Sequence, residues 1–149
     1  MRYAAAAAAI FTGELLLKNQ AEKRLEWGKQ IKICRGKILL HKYHNYGVAL
    51  NLLEKRPGLI QALCGGMLLI LGSLWFWLIQ KKENPGVLLA FALLLGGGAS
   101  NYYDRLKRGY VVDYFSFHTP FKSLNRIIFN LSDLCIFLGG MFFAFFVKG

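Results

Sequence analysis

Two long apolar runs constrain this chain more than anything else in its sequence. Leu59 to Ile79 supplies 21 residues with only Gln61 and Ser73 as mild interruptions, and Ile127 to Val147 supplies 21 with Asn130, Ser132 and Asp133 near its start. A helix crossing the hydrocarbon core of a bilayer needs about 20 apolar residues, so both runs predict membrane spans. Gly86 to Ser100 is shorter, but it follows Pro85, a good first-turn residue. It ends in Gly96-Gly97-Gly98-Ala99-Ser100, small side chains that let helices approach closely. A third span is expected there, with its polar end at Asn101. Tyr3 to Leu17 gives the fourth, interrupted by Thr12, Gly13 and Glu14. Arg2 followed by alanines also fits the start of a signal peptide, but Glu14 and Lys18, four apart on one helical face, fit better as the polar end of a retained helix. The expected fold is an all-α membrane protein, one integral domain over residues 1–149 with four transmembrane helices. Composition agrees, because 18% charged residues is below the roughly 25% of soluble domains.

Between the first two spans, residues 19–56 are too mixed to cross lipid. Ile31-Lys32-Ile33 and Lys37-Ile38-Leu39-Leu40 alternate in part as strands do, with Gly28, Gly36 and Gly47 as turn candidates. A small surface sheet lying on the bilayer is expected. Tyr102 to Arg126 reads as a longer loop returning to the last span. The formal net charge is +11. In a soluble protein it would favour nucleic acid, but the basic residues here lie mostly between apolar runs, where anionic lipid headgroups are the nearest counterions. Cys64 and Cys135 lie inside apolar runs and Cys34 in a basic stretch, without metal or disulfide spacing. All three are expected to be packing residues.

The chemistry concentrates in the last third of the chain, which holds all three aspartates, Asp104, Asp113 and Asp133. Asp133 is the seventh residue of its apolar run, roughly 9 Å along a helix that starts with the run. An ionisable group at such depth usually faces other helices or water and marks a functional site. Asn130, three residues earlier, shares its helical face; interhelical hydrogen bonding is the plainer reading of the two. Asn101 and Arg105, four apart, share a face if the third helix continues past its span. Asp113 is set between Gly109-Tyr110-Val111-Val112 and Tyr114-Phe115-Ser116-Phe117. Burial there disfavours its charge, and a second carboxylate nearby disfavours it further. Two aspartates able to share a proton are the machinery of an aspartyl protease: one takes a proton from water, the other polarises the scissile carbonyl, and neither metal nor cofactor is needed. The sequence carries no His-Glu-x-x-His, Gly-x-Ser-x-Gly or phosphate-loop motif. His41 and His44 read as solvated surface residues rather than ligands.

Ser100-Asn101-Tyr102-Tyr103-Asp104-Arg105, Gly109-Tyr110-Val111-Val112-Asp113-Tyr114 and Phe129-Asn130-Leu131-Ser132-Asp133 resemble, in order and spacing, the motifs G-N-x-x-D-R, G-x-V-V-D-F and F-N-x-A-D of lipoprotein signal peptidase, also called signal peptidase II. Upstream, Asn45-Tyr46-Gly47-Val48-Ala49-Leu50 resembles N-x-G-x-A-F, and Glu14 to Lys18 resembles D-x-x-x-K. The resemblance implies a four-helix bundle with an extracytoplasmic sheet in the bacterial inner membrane. It implies that Asp113 and Asp133 form the catalytic dyad, that Asn45, Gly47, Asn101, Arg105 and Asn130 bind substrate and position the dyad, and that Glu14, Lys18 and Asp104 support them. The implied substrates are prolipoproteins, cut just before a diacylglyceryl-modified lipobox cysteine, with a narrow cleft near Gly96 to Ala99. Departures are Glu for Asp at 14, Leu for Phe at 50 and Ser for Gly at 100.

The segments from Lys18 to Arg56 and Arg105 to Arg126 carry 10 and 5 Lys and Arg, and the positive-inside rule assigns such segments to the cytoplasm. The family assigns them to the outside. The motifs are the stronger guide, with the basic sheet bound to anionic headgroups. Two rival functions fit buried acids as well: a small transporter or channel, and a silent relative that binds lipidated proteins.

Overall fold

A computed structural model of the chain describes residues 1–47, 53–121 and 123–147. Among these residues four α-helices, α1 (Arg2–Arg24), α2 (Pro57–Gln80), α3 (Pro85–Lys107) and α4 (Leu131–Phe146), carry a small antiparallel sheet of β1 (Ile31–Ile33), β2 (Ile38–Asn45) and β3 (Val111–Phe117), in the order β1-β2-β3. Helix starts follow from local chemistry. Pro57 and Pro85 occupy first turns, and the Asn84 side chain accepts the Gly86 N–H at 2.8 Å. Gly109, at φ +80, turns the chain from α3 into β3.

Two of the helices, α2 and α3, are long and apolar enough to cross a membrane; α4 is apolar but has 16 residues. They use that apolarity differently. On α2 only Ile60 and Leu78 are buried, while Leu69, Ile70 and Phe76 face outwards. On α3 the buried residues run from Val87 to Asp104, and the helix packs against the other three. Its glycines make that possible. A Cβ on Gly96 would lie 2.8 Å from the Ala7 carbonyl oxygen of α1, and one on Gly97 would lie 2.6 Å from the Ser132 carbonyl oxygen of α4. The apolar core at the far end joins Leu78, Val87, Leu88 and Phe91.

Several boundaries differ from the sequence expectation, each for a physical reason. Glu14 and Lys18 sit within α1, as expected of a retained helix, but α1 continues to Arg24, and α3 continues past Ser100 so that Asn101, Asp104 and Arg105 sit within it; buried partners substitute for apolarity. Conversely α4 starts four residues late, because Ile127 to Phe129 is extended and Phe129 bridges to Phe115 of β3. Asp133 is therefore the third residue of its helix, not the seventh. The sheet gains its third strand from the stretch read as a loop after residue 102. Gly96 and Gly97 are helix-packing residues rather than cleft walls. Cys34 is exposed, not packed, in a turn whose Cys34 and Arg35 have φ of 50 and 58.

Overpacking costs about 1–3 kcal/mol, so Gly97→Ala is expected to lower unfolding stability by that amount. Gly140→Ala, whose Cβ meets nothing within 4 Å, leaves it unchanged or slightly higher. Thermal unfolding in detergent compares the two.

Candidate active site

The site is built around the first turn of α4. A helix start leaves backbone N–H groups without intrahelical partners, and three side chains take the first three. The Leu131 N–H donates to the Tyr114 hydroxyl oxygen at 3.2 Å, the Ser132 N–H to Glu14 Oε1 at 3.2 Å and the Asp133 N–H to Asn130 Oδ1 at 3.0 Å. The cap is reciprocal, since Asp133 Oδ2 accepts the Asn130 backbone N–H at 3.1 Å, an Asn/Asp version of the capping box.

That cap fixes which way Asn130 points. With its oxygen committed to Asp133, its amide nitrogen faces the other aspartate and donates to Asp113 Oδ1 at 2.6 Å. Asp113 arrives on β3, opposite Tyr43, after a one-residue bulge in β2 between Leu40 and Tyr43. The bulge sets the register that brings Asn45 Nδ2 within 3.1 Å of Asp113 Oδ2. Burial, and secondly the nearby Asp133 carboxylate, push Asp113 up to about 7, although the Asn45 and Asn130 amides oppose the shift. The two aspartates thus hang from opposite sides of one buried asparagine.

A parallel arrangement holds Asp133. Asn101 Oδ1 accepts from Lys18 Nζ at 2.7 Å, which turns Asn101 Nδ2 towards Asp133 Oδ1 at 2.9 Å. Lys18 is fully buried and lies 3.1 Å from Asp104 Oδ2 and 3.9 Å from Glu14 Oε1; Ser100 Oγ accepts from it at 3.3 Å. Asp104 also accepts the Val112 N–H at 3.1 Å and pairs with Arg108, tying β3 to α3. Arg105 donates to the Asn101 and Gly47 carbonyl oxygens at 3.3 and 2.9 Å, and the Gly47 N–H donates to Asn45 Oδ1. All ten residues singled out from the sequence meet in this one region.

Beside the aspartates opens a cleft of about 960 Å³. Asp113, Asp133, Asn45, Asn101 and Arg105 line its polar side, and Leu63, Met67, Leu68 and Leu71 of α2 line its apolar side. Of the glycine run, Gly98 alone borders it. Val48, Ala49 and Leu50, expected to complete the Asn45 motif, lie outside the described residues. His44, expected to be solvated, is half-buried, hydrogen-bonded to Glu22 at 2.5 Å and stacked on Tyr110. Tyr114 went unnoticed in the sequence. The signal was present, as Tyr stands where the motif G-x-V-V-D-F of the resembled family has Phe after its aspartate, and its hydroxyl both donates to Glu14 Oε2 at 2.8 Å and accepts from Leu131.

The profile of the family described as Signal peptidase (SPase) II matches residues 6–148. The lipoprotein signal peptidases of Brucella ovis and Brucella melitensis are each 34% identical over 125 residues, 83% of this chain and 74% of theirs. Two solved structures of a bacterial membrane enzyme, obtained by the in meso method at 2.3 and 1.9 Å, share the fold with a TM-score of 0.83 at 19% identity. The superpositions cover 95% and 97% of this chain, and 84% and 90% of those chains.

Removing one partner of a buried ion pair strands the other, at about 3–5 kcal/mol. Lys18→Met is therefore expected to destabilise the protein by that order, and adding Asp104→Asn to recover part of the loss. Unfolding of both variants in detergent measures it.

Proposed function

This chain belongs to the signal peptidase II family, and we propose that it is a membrane aspartic endopeptidase that removes signal peptides from prolipoproteins, with Asp113 and Asp133 as its catalytic dyad. The observation that carries the reading is Asn130, whose amide N–H₂ donates to the Asp113 carboxylate while its oxygen accepts the Asp133 backbone N–H, with both aspartates at the wall of one cleft. Asp113, kept protonated up to about pH 7 by burial and by its neighbour's charge, donates to the scissile carbonyl oxygen. Asp133 takes a proton from water, whose oxygen attacks the carbonyl carbon. Collapse of the tetrahedral intermediate breaks the C–N bond as the new amine receives a proton from the dyad. Asn45 holds Asp113 Oδ2 and Asn101 holds Asp133 Oδ1, Arg105 and Gly47 border the substrate, and Glu14, Lys18 and Asp104 hold the scaffold.

The cleft's two-sided character supports a lipidated lipobox cysteine as substrate. Its polar side suits a peptide backbone, and its α2 side suits acyl chains that stay in the bilayer. A transporter reading is less well supported, because the acids are tied by hydrogen bonds into one cap rather than strung along a path. All four helices spanning the bacterial inner membrane, as a single domain with the sheet and cleft outside, is the arrangement we favour. Exposed Phe137 and Phe145 on α4 and Leu16 and Leu17 on α1 suit contact with lipid. This orientation follows the family arrangement rather than the Lys and Arg count; of those cations Lys18 and Arg108 pair with Asp104 inside the fold, and Lys42 pairs with Glu22. Lys32, Arg35 and Lys37, all exposed and interleaved with exposed Ile31 and Ile33 beside exposed Trp27, suit anionic headgroups at an interface.

Asp113→Asn and Asp133→Asn are each expected to abolish cleavage of a diacylated prolipoprotein in a mobility-shift assay while the proteins still insert; cleavage by either variant removes that residue from the dyad. Wild-type kcat/KM is expected to fall as pH rises through about 7, since above it the pair loses the proton it must donate. Exposed Cys34 reports the orientation: a membrane-impermeant maleimide should label it in intact cells, and failure alongside working controls would reverse the topology.

A further inference from the structure

The geometry points to Tyr114 as a positioning residue of this peptidase, acting with Glu14 to set the height of Asp133 against Asp113. The inference rests on the dyad reading above and extends it to residues that touch no substrate. Tyr114 is the next residue after Asp113, so its backbone moves with that aspartate. Its hydroxyl is clasped between Glu14 Oε2, to which it donates at 2.8 Å, and the Leu131 N–H, from which it accepts at 3.2 Å. Glu14 Oε1 takes the next amide, Ser132. The strap therefore links the strand carrying one aspartate to the two amides that precede the other. Neither Tyr114 nor Glu14 lines the cleft.

Two departures from the family pattern meet in this strap. Glu at 14 is one methylene longer than the Asp of D-x-x-x-K, and Tyr at 114 adds the hydroxyl that Phe lacks. The two are matched: the longer acid reaches both Ser132 and the hydroxyl, and the hydroxyl of half-buried Tyr114 would lose its acceptor without the acid. A further departure, Ser100, accepts from Lys18 beside them.

Misplacing a reacting group by about 1 Å costs up to on the order of 100-fold in rate, so Tyr114→Phe is expected to lower kcat by about 10- to 100-fold with KM unchanged. Glu14→Asp should do the same. The double variant Tyr114→Phe/Glu14→Asp should be no worse than either single, because both changes remove one strap. As α4 recedes, the Asp133 charge acts less on Asp113, which also faces Asn45, Asn130 and, more distantly, Lys18. The alkaline limb of kcat/KM should then move to lower pH in both singles. A purely structural role would scale rates at every pH without moving the limb. Independent, multiplying losses in the double variant, an unmoved limb, or a wild-type kcat in Tyr114→Phe would each overturn the proposal. Asp133→Asn, assayed in the same preparation, separates the readings: if it still cleaves, the dyad assignment fails; if it is dead while Tyr114→Phe is unimpaired, only the strap fails.

Discussion

The structure depends on how the first turn of α4 is capped. Any helix start exposes N–H groups that need acceptors, and near lipid an unmet donor is costly. Here the acceptors come from three places: Tyr114 on β3, Glu14 on α1 and Asn130 at the cap itself. Closing the helix start and assembling the aspartates are consequently one event. A helix end that water could have satisfied would not have required β3 and α1 to dock against it, and Asp113 would have had no fixed distance from Asp133.

Direction is imposed on the site by two asparagines. An amide side chain can be turned either way until one end meets a group that can only donate or only accept. For Asn101 that group is the Lys18 ammonium, and for Asn130 it is the Asp133 backbone N–H. In both cases the oxygen is claimed first, and the amide N–H₂ is left facing a carboxylate. Lys18 can serve so deep in the bundle because Asp104 and Glu14 balance its charge and Ser100 and Asn101 fill its remaining contacts. A buried charge with partners on every side stabilises one arrangement by making the alternatives expensive.

How far the sequence could be read follows from which interactions were local. The apolar runs of α2 and α3 were legible because length and hydropathy alone decide them, and the residues of the site were legible as motifs in order. Boundaries failed wherever a distant partner decided them. Ile127 to Phe129 has the composition of a helix, and only the pairing of Phe129 with Phe115 makes it extended; this moved Asp133 from mid-turn depth to a cap. Conversely, within Asn101 to Lys107 only the i,i+4 spacing of Asn101 and Arg105 hints at a continuing helix, and Lys18, Gln61 and Gly47 supply the partners that settle it. The third strand was hidden for the same reason: Val111 to Phe117 forms one only because β2 lies beside it with a bulge.

The glycine run of α3 explains how a polar site and a membrane bundle coexist within one helix. Gly96 admits α1 and Gly97 admits α4 to backbone contact, at the level where Ser100 and Asn101 begin the polar network one turn further on. Close approach is what lets a lysine on α1 and an aspartate on α4 reach the same asparagine on α3. Larger side chains at 96 and 97 would hold the three helices too far apart for Asn101 to touch both Lys18 and Asp133. The apolar packing therefore sets the geometry that the polar chemistry uses, and the small residues belong to the site although they carry no reactive group.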